Sequence, residues 1–250
     1  MKKFYILHSI SCLAFLFVLW ASFLSPVSES GDNRQMNETL FQPAPYAFSI
    51  WGLIYVLIAI WLVRGFLSSG DERELYRDTA PWFSISAVLS GLSITAGLAV
   101  KGLDAILLIA SLAALCMVYV KIKKSQYHRT FFRVPFSFYL GWTSIAVIVI
   151  IFQQFTDFGI GEFLAIGELG WTNIMLIAGA LLAIGFMLLQ KDIIYPLVFI
   201  WGYIGIAVEQ RGQASVVWTA AAACILIAAA GLIYIFRKNN KAGNQAEQKV

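Results

Sequence analysis

The sequence predicts an all-α integral membrane protein with about eight transmembrane helices. Of its 250 residues, 60% are hydrophobic and 13% are charged, and the mean hydropathy is +0.76. An ordinary soluble domain is much less apolar and carries more charge. The apolar residues fall into runs close to the ~20 residues that a helix needs to cross a bilayer. We therefore expect the chain to cross the membrane several times.

Eight apolar runs define the expected helices. The first follows Lys2 and Lys3, is longer than a signal-peptide core of about 7–15 residues and lacks an evident cleavage pattern, so we expect it to be retained. The runs cover residues 4–26, 46–66, 81–100, 104–120, 132–155, 171–189, 193–208 and 214–236. Between them we expect a polar segment at 27–42 and a charged loop at 64–78. Residues 237–250 form a polar tail that we expect to be disordered.

The positions of the basic residues predict the orientation in the membrane. If the N-terminus is cytoplasmic, eight crossings place most of the 18 Lys and Arg residues on the cytoplasmic side, including the group from Lys121 to Arg133. Arg34, Lys101 and Arg211 then remain outside. Short loops rich in Lys and Arg stay in the cytoplasm. The sequence therefore predicts a multi-pass protein of the plasma membrane with both termini cytoplasmic.

The polar residues argue against several classes of function. Ion-coupled pumps and channels keep ionisable residues at membrane depth, and the predicted helices hold essentially none. His8 and His128 are far apart, the three cysteines lie in separate runs, and no nucleophile has a base beside it. We expect no metal site, no enzymatic activity and no nucleic-acid partner.

The most informative stretch is residues 41–62, where a proline-broken loop leads directly into the second helix. Pro43 and Pro45 cannot both lie in a regular helix, and after Pro45 nothing is charged until Arg64. Trp51 and Tyr55 are four residues apart and therefore share a helix face. A small aromatic pocket beneath the loop is expected here, with the loop as its lid.

Two other tryptophans, Trp142 and Trp201, lie near the middle of their runs, where an interfacial role does not apply. A buried indole N–H needs a partner, so each is either a packing residue bonded to a neighbouring Ser or carbonyl, or the wall of a ligand site. Small residues in the third run predict close packing and a central place in the bundle. The hydroxyls of Ser90, Ser93, Tyr139 and Thr143 are candidate polar contacts, although such groups often bond to their own helix.

These residues together resemble the tryptophan-rich sensory protein family, also called the translocator protein or peripheral-type benzodiazepine receptor family. The resemblance covers roughly residues 1–154. It is carried by Pro43, Pro45 and Phe48 ahead of Trp51 and Tyr55, by Asp104-Ala-Ile-Leu-Leu at the fourth helix, and by Tyr139-Leu-Gly-Trp142 in the fifth. The chain departs from the family pattern with Tyr46 in place of a loop tryptophan, and with Ser90 and Ser93 where the third helix usually carries Asn and Trp.

The resemblance implies a five-helix bundle at 1–156, followed by three additional helices at 157–236 and the tail at 237–250. The three additional helices have no counterpart in the five-helix form. The resemblance also implies binding of a porphyrin or related apolar ligand. Apart from such a ligand, we expect no cofactor. The ligand-binding residues that we predict are Pro43, Pro45, Phe48, Trp51, Tyr55, Ser90, Tyr139 and Trp142.

The predicted function is binding or sensing of a flat apolar ligand such as a tetrapyrrole or a sterol-like molecule, because aromatic walls with few charges suit such a ligand. Two alternatives remain open from the sequence. A permease for a neutral or amphipathic solute would use the extra helices and the Gly202/Gly205 pair. A regulatory membrane protein would have no small ligand. The expected partners are the lipid bilayer, a small apolar ligand and, as one option, a second copy in a homodimer.

Overall fold

A computed structural model describes residues 2–24, 39–96, 100–127 and 131–247. Most of the polar segment at 27–42, with Glu29, Asp32, Arg34 and Glu38, lies outside these ranges, as do His128 and Arg129. Contacts divide the chain into two compact units. The first comprises Met1–Thr39 and Ser49–Phe163, and the second comprises Leu40–Phe48 and Leu164–Val250.

The first unit is a closed ring of five helices. They are α1 (Lys2–Phe23), α2 (Ile50–Phe66), α3 (Gly70–Ala96), α4 (Leu103–Lys124) and α5 (Val134–Asp157). Around the ring, α2 packs on α1, α1 on α3, α3 on α4, α4 on α5 and α5 on α2. A 3-10 turn, Pro45–Ser49, precedes α2. Each helix thus turns one face toward the interior of the ring and another toward lipid.

The second unit contains three mutually packed helices, α6 (Glu168–Gln190), α7 (Ile194–Glu209) and α8 (Ala214–Glu247). Two short strands, β1 (Glu162–Phe163) and β2 (Ile166–Gly167), lie between α5 and α6 in the chain. The second unit also includes the proline-rich segment Leu40–Phe48. The predicted division at residue 156 had assigned that segment to the first five helices.

Six helices in the described residues are long and apolar enough to cross a membrane: α1, α2 with its preceding turn, α4, α5, α6 and α8. The expected number of eight is therefore not confirmed. α7 is apolar but has 16 residues, which at ~1.5 Å per residue gives about 24 Å, less than the ~30 Å hydrocarbon thickness. α3 is not among the six, because the first half of this helix is amphipathic and carries charged residues.

α3 begins at Gly70, so the expected loop at 64–78 is wrong over most of its length. Asp71 and Glu72 lie in the first turn, where their charge favours the helix N-terminus. Leu75 and Tyr76 are buried on the same face as Thr79, which is the spacing of an amphipathic helix. The prediction required an uninterrupted apolar run and therefore missed the charged first part of α3. Pro81 lies inside the helix rather than at its start.

α8 continues to Glu247, beyond the expected end at Phe236. The expectation of disorder from residue 237 onward is therefore wrong through Glu247. The helix leaves its apolar part near Arg237 and Lys238, both exposed.

The small residues of α3 allow close packing on both sides, as predicted. A Cβ atom on Gly91 would lie 2.5 Å from Cε1 of Phe17 on α1. Toward α1 the Ser84 and Ser11 hydroxyls are 3.1 Å apart, and toward α4 the Ser90 and Ser111 hydroxyls are 2.9 Å apart. Hydroxyls that bond across helices hold neighbours together in lipid. Besides α1 and α4, α3 contacts the other two helices of the ring: the Tyr76 hydroxyl donates to the Trp61 carbonyl on α2 at 2.8 Å, and the rings of Phe83 and Phe136 on α5 meet edge to face.

Candidate functional site

α2 positions the first two site residues as the four-residue spacing predicts. The rings of Trp51 and Tyr55 stack with centroids 5.4 Å apart and planes at 21°. Tyr55 is buried, and its hydroxyl is hydrogen-bonded to that of Ser22 on α1 at 2.8 Å. Trp51 is half-buried. One face of α2 therefore presents an aromatic pair whose inner member is fixed by a hydrogen bond.

Tyr139 on α5 brings a third ring to this pair. Its ring meets Trp51 edge to face, with centroids 5.8 Å apart. Its hydroxyl is hydrogen-bonded to that of Ser90 on α3 at 3.1 Å. The structure thus brings together four of the predicted residues, Trp51, Tyr55, Tyr139 and Ser90. We call these four residues the aromatic cluster.

Behind Ser90 lies a hydroxyl network that sequence reasoning missed. Ser111 on α4 is hydrogen-bonded to Ser90 at 2.9 Å and to the hydroxyl of Ser86 at 3.0 Å. Ser86 and Ser90 are one turn apart, so their shared face was visible in the sequence. Ser111 had no such signal, because a single serine in an apolar run usually bonds to its own helix. The network fixes the Ser90 and Tyr139 hydroxyls.

A narrow empty space of about 190 Å³ borders the aromatic cluster. None of it is wide enough to admit a water molecule. Its walls come from α1, α2, α3 and α5, and they are apolar apart from two tyrosine hydroxyls. The lining residues are Phe15, Val18, Tyr55, Ile58, Phe83, Ala87 and Tyr139. Of these, only Tyr55 and Tyr139 were predicted, since nothing in an apolar run marks which residues face a gap.

Trp142 and Thr143 lie one turn along α5 from Tyr139. Trp142 is 1% exposed and Thr143 is fully buried. Neither lines the empty space. The Thr143 hydroxyl has no hydrogen-bond partner among the described residues. Ser93, another predicted polar contact, donates to the backbone carbonyl of Asp104 at 2.8 Å and thereby joins α3 to α4.

Pro43, Pro45 and Phe48 belong to the second unit. There the proline-rich segment packs on α7: the Ala44 N–H donates to the Gly205 carbonyl at 3.0 Å. A Cβ atom on Gly205 would lie 2.8 Å from that of Ala47 and 3.1 Å from that of Pro43. Gly205 therefore allows the segment to approach α7 closely, which accounts for a glycine at this position.

The sequence left two roles open for Trp201, a packing residue or the wall of a ligand site. Its contacts are those of a packing residue. Its indole N–H donates to the Ala47 carbonyl at 2.9 Å, and its ring meets Tyr46 edge to face with centroids 5.7 Å apart. The indole thus finds the partner that a tryptophan away from the interface requires. No local pattern could indicate this partner, because the two residues are 154 positions apart.

A family model described as TSPO-like protein matches residues 5–234. The chain belongs to this family. The resemblance carried by Trp51, Tyr55 and the Tyr139 motif is therefore confirmed. No curated protein and no solved structure matches the chain.

The match extends beyond the region of the first resemblance. This TSPO-like protein was expected to resemble the family over residues 1–154, but the matched region includes α6, α7 and most of α8. The last three helices are therefore part of what the family model describes. Membership indicates a multi-pass membrane protein of a ligand-binding or sensory kind, in a family that is generally not enzymatic.

Proposed function

We propose that the protein binds a flat, largely apolar ligand, such as a tetrapyrrole or a sterol-like molecule, at the aromatic cluster. The observation that carries this proposal is a narrow apolar gap lined by two tyrosines with hydrogen-bonded hydroxyls, Tyr55 and Tyr139, with Trp51 stacked on Tyr55. Aromatic walls bind a flat ligand by stacking and burial, and a few polar groups set its orientation. Family membership supports a role of this kind.

Each residue of the cluster has a distinct role in the proposal. Trp51 and Tyr55 form the stacked pair on α2. Tyr139 supplies an edge and a hydroxyl, and Ser90 holds that hydroxyl in place. Trp142 and Thr143 extend the same helix by one turn, so a ligand longer than the gap would reach them. All of these residues belong to the first unit.

The gap must widen for a tetrapyrrole to enter. The gap has no room for a water molecule, whereas pockets for drug-sized ligands measure about 300–1,000 Å³. Trp51 is not a wall of the gap, but it contacts the lining residues Tyr55 and Tyr139 and is only half-buried, so its movement would let them separate. A ligand that binds only the widened form shifts the population toward that form. Such a response suits a sensor, which binds without net transport.

The proposed topology has cytoplasmic termini in the plasma membrane. This follows from the distribution of Lys and Arg among the loops. Gly205, which motivated the permease alternative, is accounted for by packing of Pro43 and Ala47. We therefore put forward ligand binding alone.

The proposal is tested by quenching of tryptophan fluorescence with protoporphyrin in detergent. Saturable quenching is expected for the wild type, with a weaker affinity in the Trp51→Phe/Trp142→Phe double variant. Trp218→Phe is the matched control, because Trp218 is 74% exposed and lies in the second unit. Since the variants differ in total fluorescence, the fitted dissociation constant is compared rather than the amplitude. Linear quenching of equal slope in all three proteins would show detergent partitioning and would refute the proposal.

A further inference from the structure

A second cleft lies at one end of the first unit, away from the aromatic cluster. It measures about 510 Å³ and is formed by the start of α3 and the end of α4 with the residues that follow. Its walls are polar except for one buried leucine. They consist of Asp71, Glu74, Leu75 and Asp78 on α3, and of Lys121, Lys124, Ser125, Gln126 and Tyr127 on the other side.

The two walls carry opposite charges that do not neutralise each other. Lys121 and Lys124 form no ion pair with any residue that the structure describes. Asp71 accepts a hydrogen bond from the Gln126 amide at 3.0 Å. A carboxylate wall and an ammonium wall therefore face each other across open space.

The nearest cation on the acidic side is Arg77. It lies 3.3 Å from Glu74 and 3.6 Å from Asp78, at exposed positions on the same helix. Exposed pairs of this kind contribute little, because both groups remain well solvated. Glu74 and Asp78 can therefore accept a further cation without first breaking a strong interaction.

The cleft lies at the end of a helix that is long enough to cross the membrane. α4 is one of the helices long and apolar enough to cross the membrane, and it ends at Lys124, a lining residue. Lysines at the end of such a helix reach the phosphate level of the bilayer. The charged first turns of α3 are at the same end of the ring, because they form the opposite wall.

We propose that this cleft binds the headgroup of a phosphatidylethanolamine molecule of the surrounding bilayer. Lys121 and Lys124 would hold the phosphate, since an ammonium binds phosphate as a point charge. Asp71, Glu74 and Asp78 would accept the N–H groups of the headgroup ammonium. The site is independent of the proposed apolar ligand site.

The acidic wall predicts discrimination between two headgroups of equal net charge. A primary ammonium donates three hydrogen bonds, as a lysine does, whereas a trimethylammonium donates none. Quaternary ammonium groups are usually held by aromatic cages, and the described lining offers a single aromatic ring, Tyr127. Phosphatidylethanolamine should therefore bind more tightly than phosphatidylcholine with the same acyl chains.

The test is lipid retention by native mass spectrometry of the full chain, with phosphatidylethanolamine, phosphatidylcholine and phosphatidylglycerol of identical acyl chains. The wild type is expected to prefer phosphatidylethanolamine over phosphatidylcholine by roughly tenfold, the effect of about one charge-assisted hydrogen bond. Competition with free phosphoethanolamine distinguishes a headgroup site that needs the bilayer from one that takes the soluble compound. Displacement at low concentration would contradict a lipid as the source.

Two variants separate the walls. Lys121→Gln/Lys124→Gln is expected to weaken retention of both zwitterionic lipids. Glu74→Gln/Asp78→Asn is expected to remove the preference while leaving phosphatidylcholine retention unchanged. The matched control is Arg237→Gln/Lys238→Gln, a pair of exposed cations in the second unit.

The variants affect exposed or half-buried side chains, and unchanged thermal stability will show that each one folds. Equal retention of the two zwitterionic lipids by the wild type would overturn the proposal. A second result would also overturn it: the wild type retains phosphatidylglycerol most strongly, and the control variant reduces that retention as much as the Lys121→Gln/Lys124→Gln variant does. Such a result would indicate that surface charge alone attracts anionic lipid.

Discussion

Each unit of this TSPO-like protein has an aromatic contact built on a tryptophan, and the two contacts differ in what surrounds the ring. In the second unit, Trp201 donates to the Ala47 carbonyl, and Gly205 leaves no room for even a methyl group beside Ala47. In the first unit, Tyr55 and Tyr139 line a narrow apolar gap that does not admit a water molecule, and Trp51 contacts the rings of both.

The comparison shows that tryptophan content alone does not mark a ligand site. A contact in which the indole N–H is hydrogen-bonded to a backbone carbonyl, as in Trp201 and Ala47, serves packing. A contact that leaves apolar space and keeps a tyrosine hydroxyl at its edge has the features of a binding site. The experiments below therefore change the filled contact and the open contact in parallel.

The largest effect is expected at the filled contact. Gly205→Val would place side-chain atoms where Ala47 and Pro43 already lie, and overpacking of this kind costs about 1–3 kcal/mol. A lower unfolding temperature in detergent is the expected result. Gly185→Ala is the control in the same unit, since no atom lies within 4 Å of a Cβ placed there. Equal stability of the two variants would show that the proline-rich segment does not pack tightly on α7.

A smaller effect is expected from Trp201→Phe. The substitution keeps an aromatic ring but removes the N–H that donates to Ala47, and a hydrogen bond contributes about 0.5–1.5 kcal/mol. We expect a modest loss of thermal stability and no change in protoporphyrin affinity. A loss of affinity without a loss of stability would mean that Trp201 is a ligand wall, the possibility that the structure disfavours.

The smallest stability effect is expected from Tyr139→Phe in the open contact. It removes the hydrogen bond to Ser90, and such interhelical bonds average about 0.6 kcal/mol in membranes. Affinity for a ligand that uses the hydroxyl should fall more than stability does. Ser93→Ala is the comparison, because Ser93 bonds across to α4 without joining the aromatic cluster. If the two variants lose ligand affinity equally, the Tyr139 hydroxyl is not a ligand contact.

The structural features that the sequence predicted correctly depend on the spacing of nearby residues. Trp51 and Tyr55 share a face because they are four residues apart, and Tyr139 lies in a motif that matches a family pattern. The early start of α3 was missed because charged residues occupy one face of an otherwise packed helix. The partner of Trp201 and the position of Ser111 were missed because each depends on contacts between distant segments. Local patterns carry no information about which segments meet.

The gap beside the aromatic cluster is the proposed position of the ligand, so a side chain that fills it should compete with the ligand for the same space. Ala87 is fully buried and lines the gap, so Ala87→Leu would occupy the space with an apolar side chain. We predict an unfolding temperature lowered by overpacking of about 1–3 kcal/mol, because the gap does not admit even a water molecule, and protoporphyrin binding weakened by at least roughly tenfold, or about 1.4 kcal/mol. Ala113→Leu, an exposed position on α4, should alter neither. Unchanged affinity in a stable Ala87→Leu protein would place the ligand elsewhere and contradict the account.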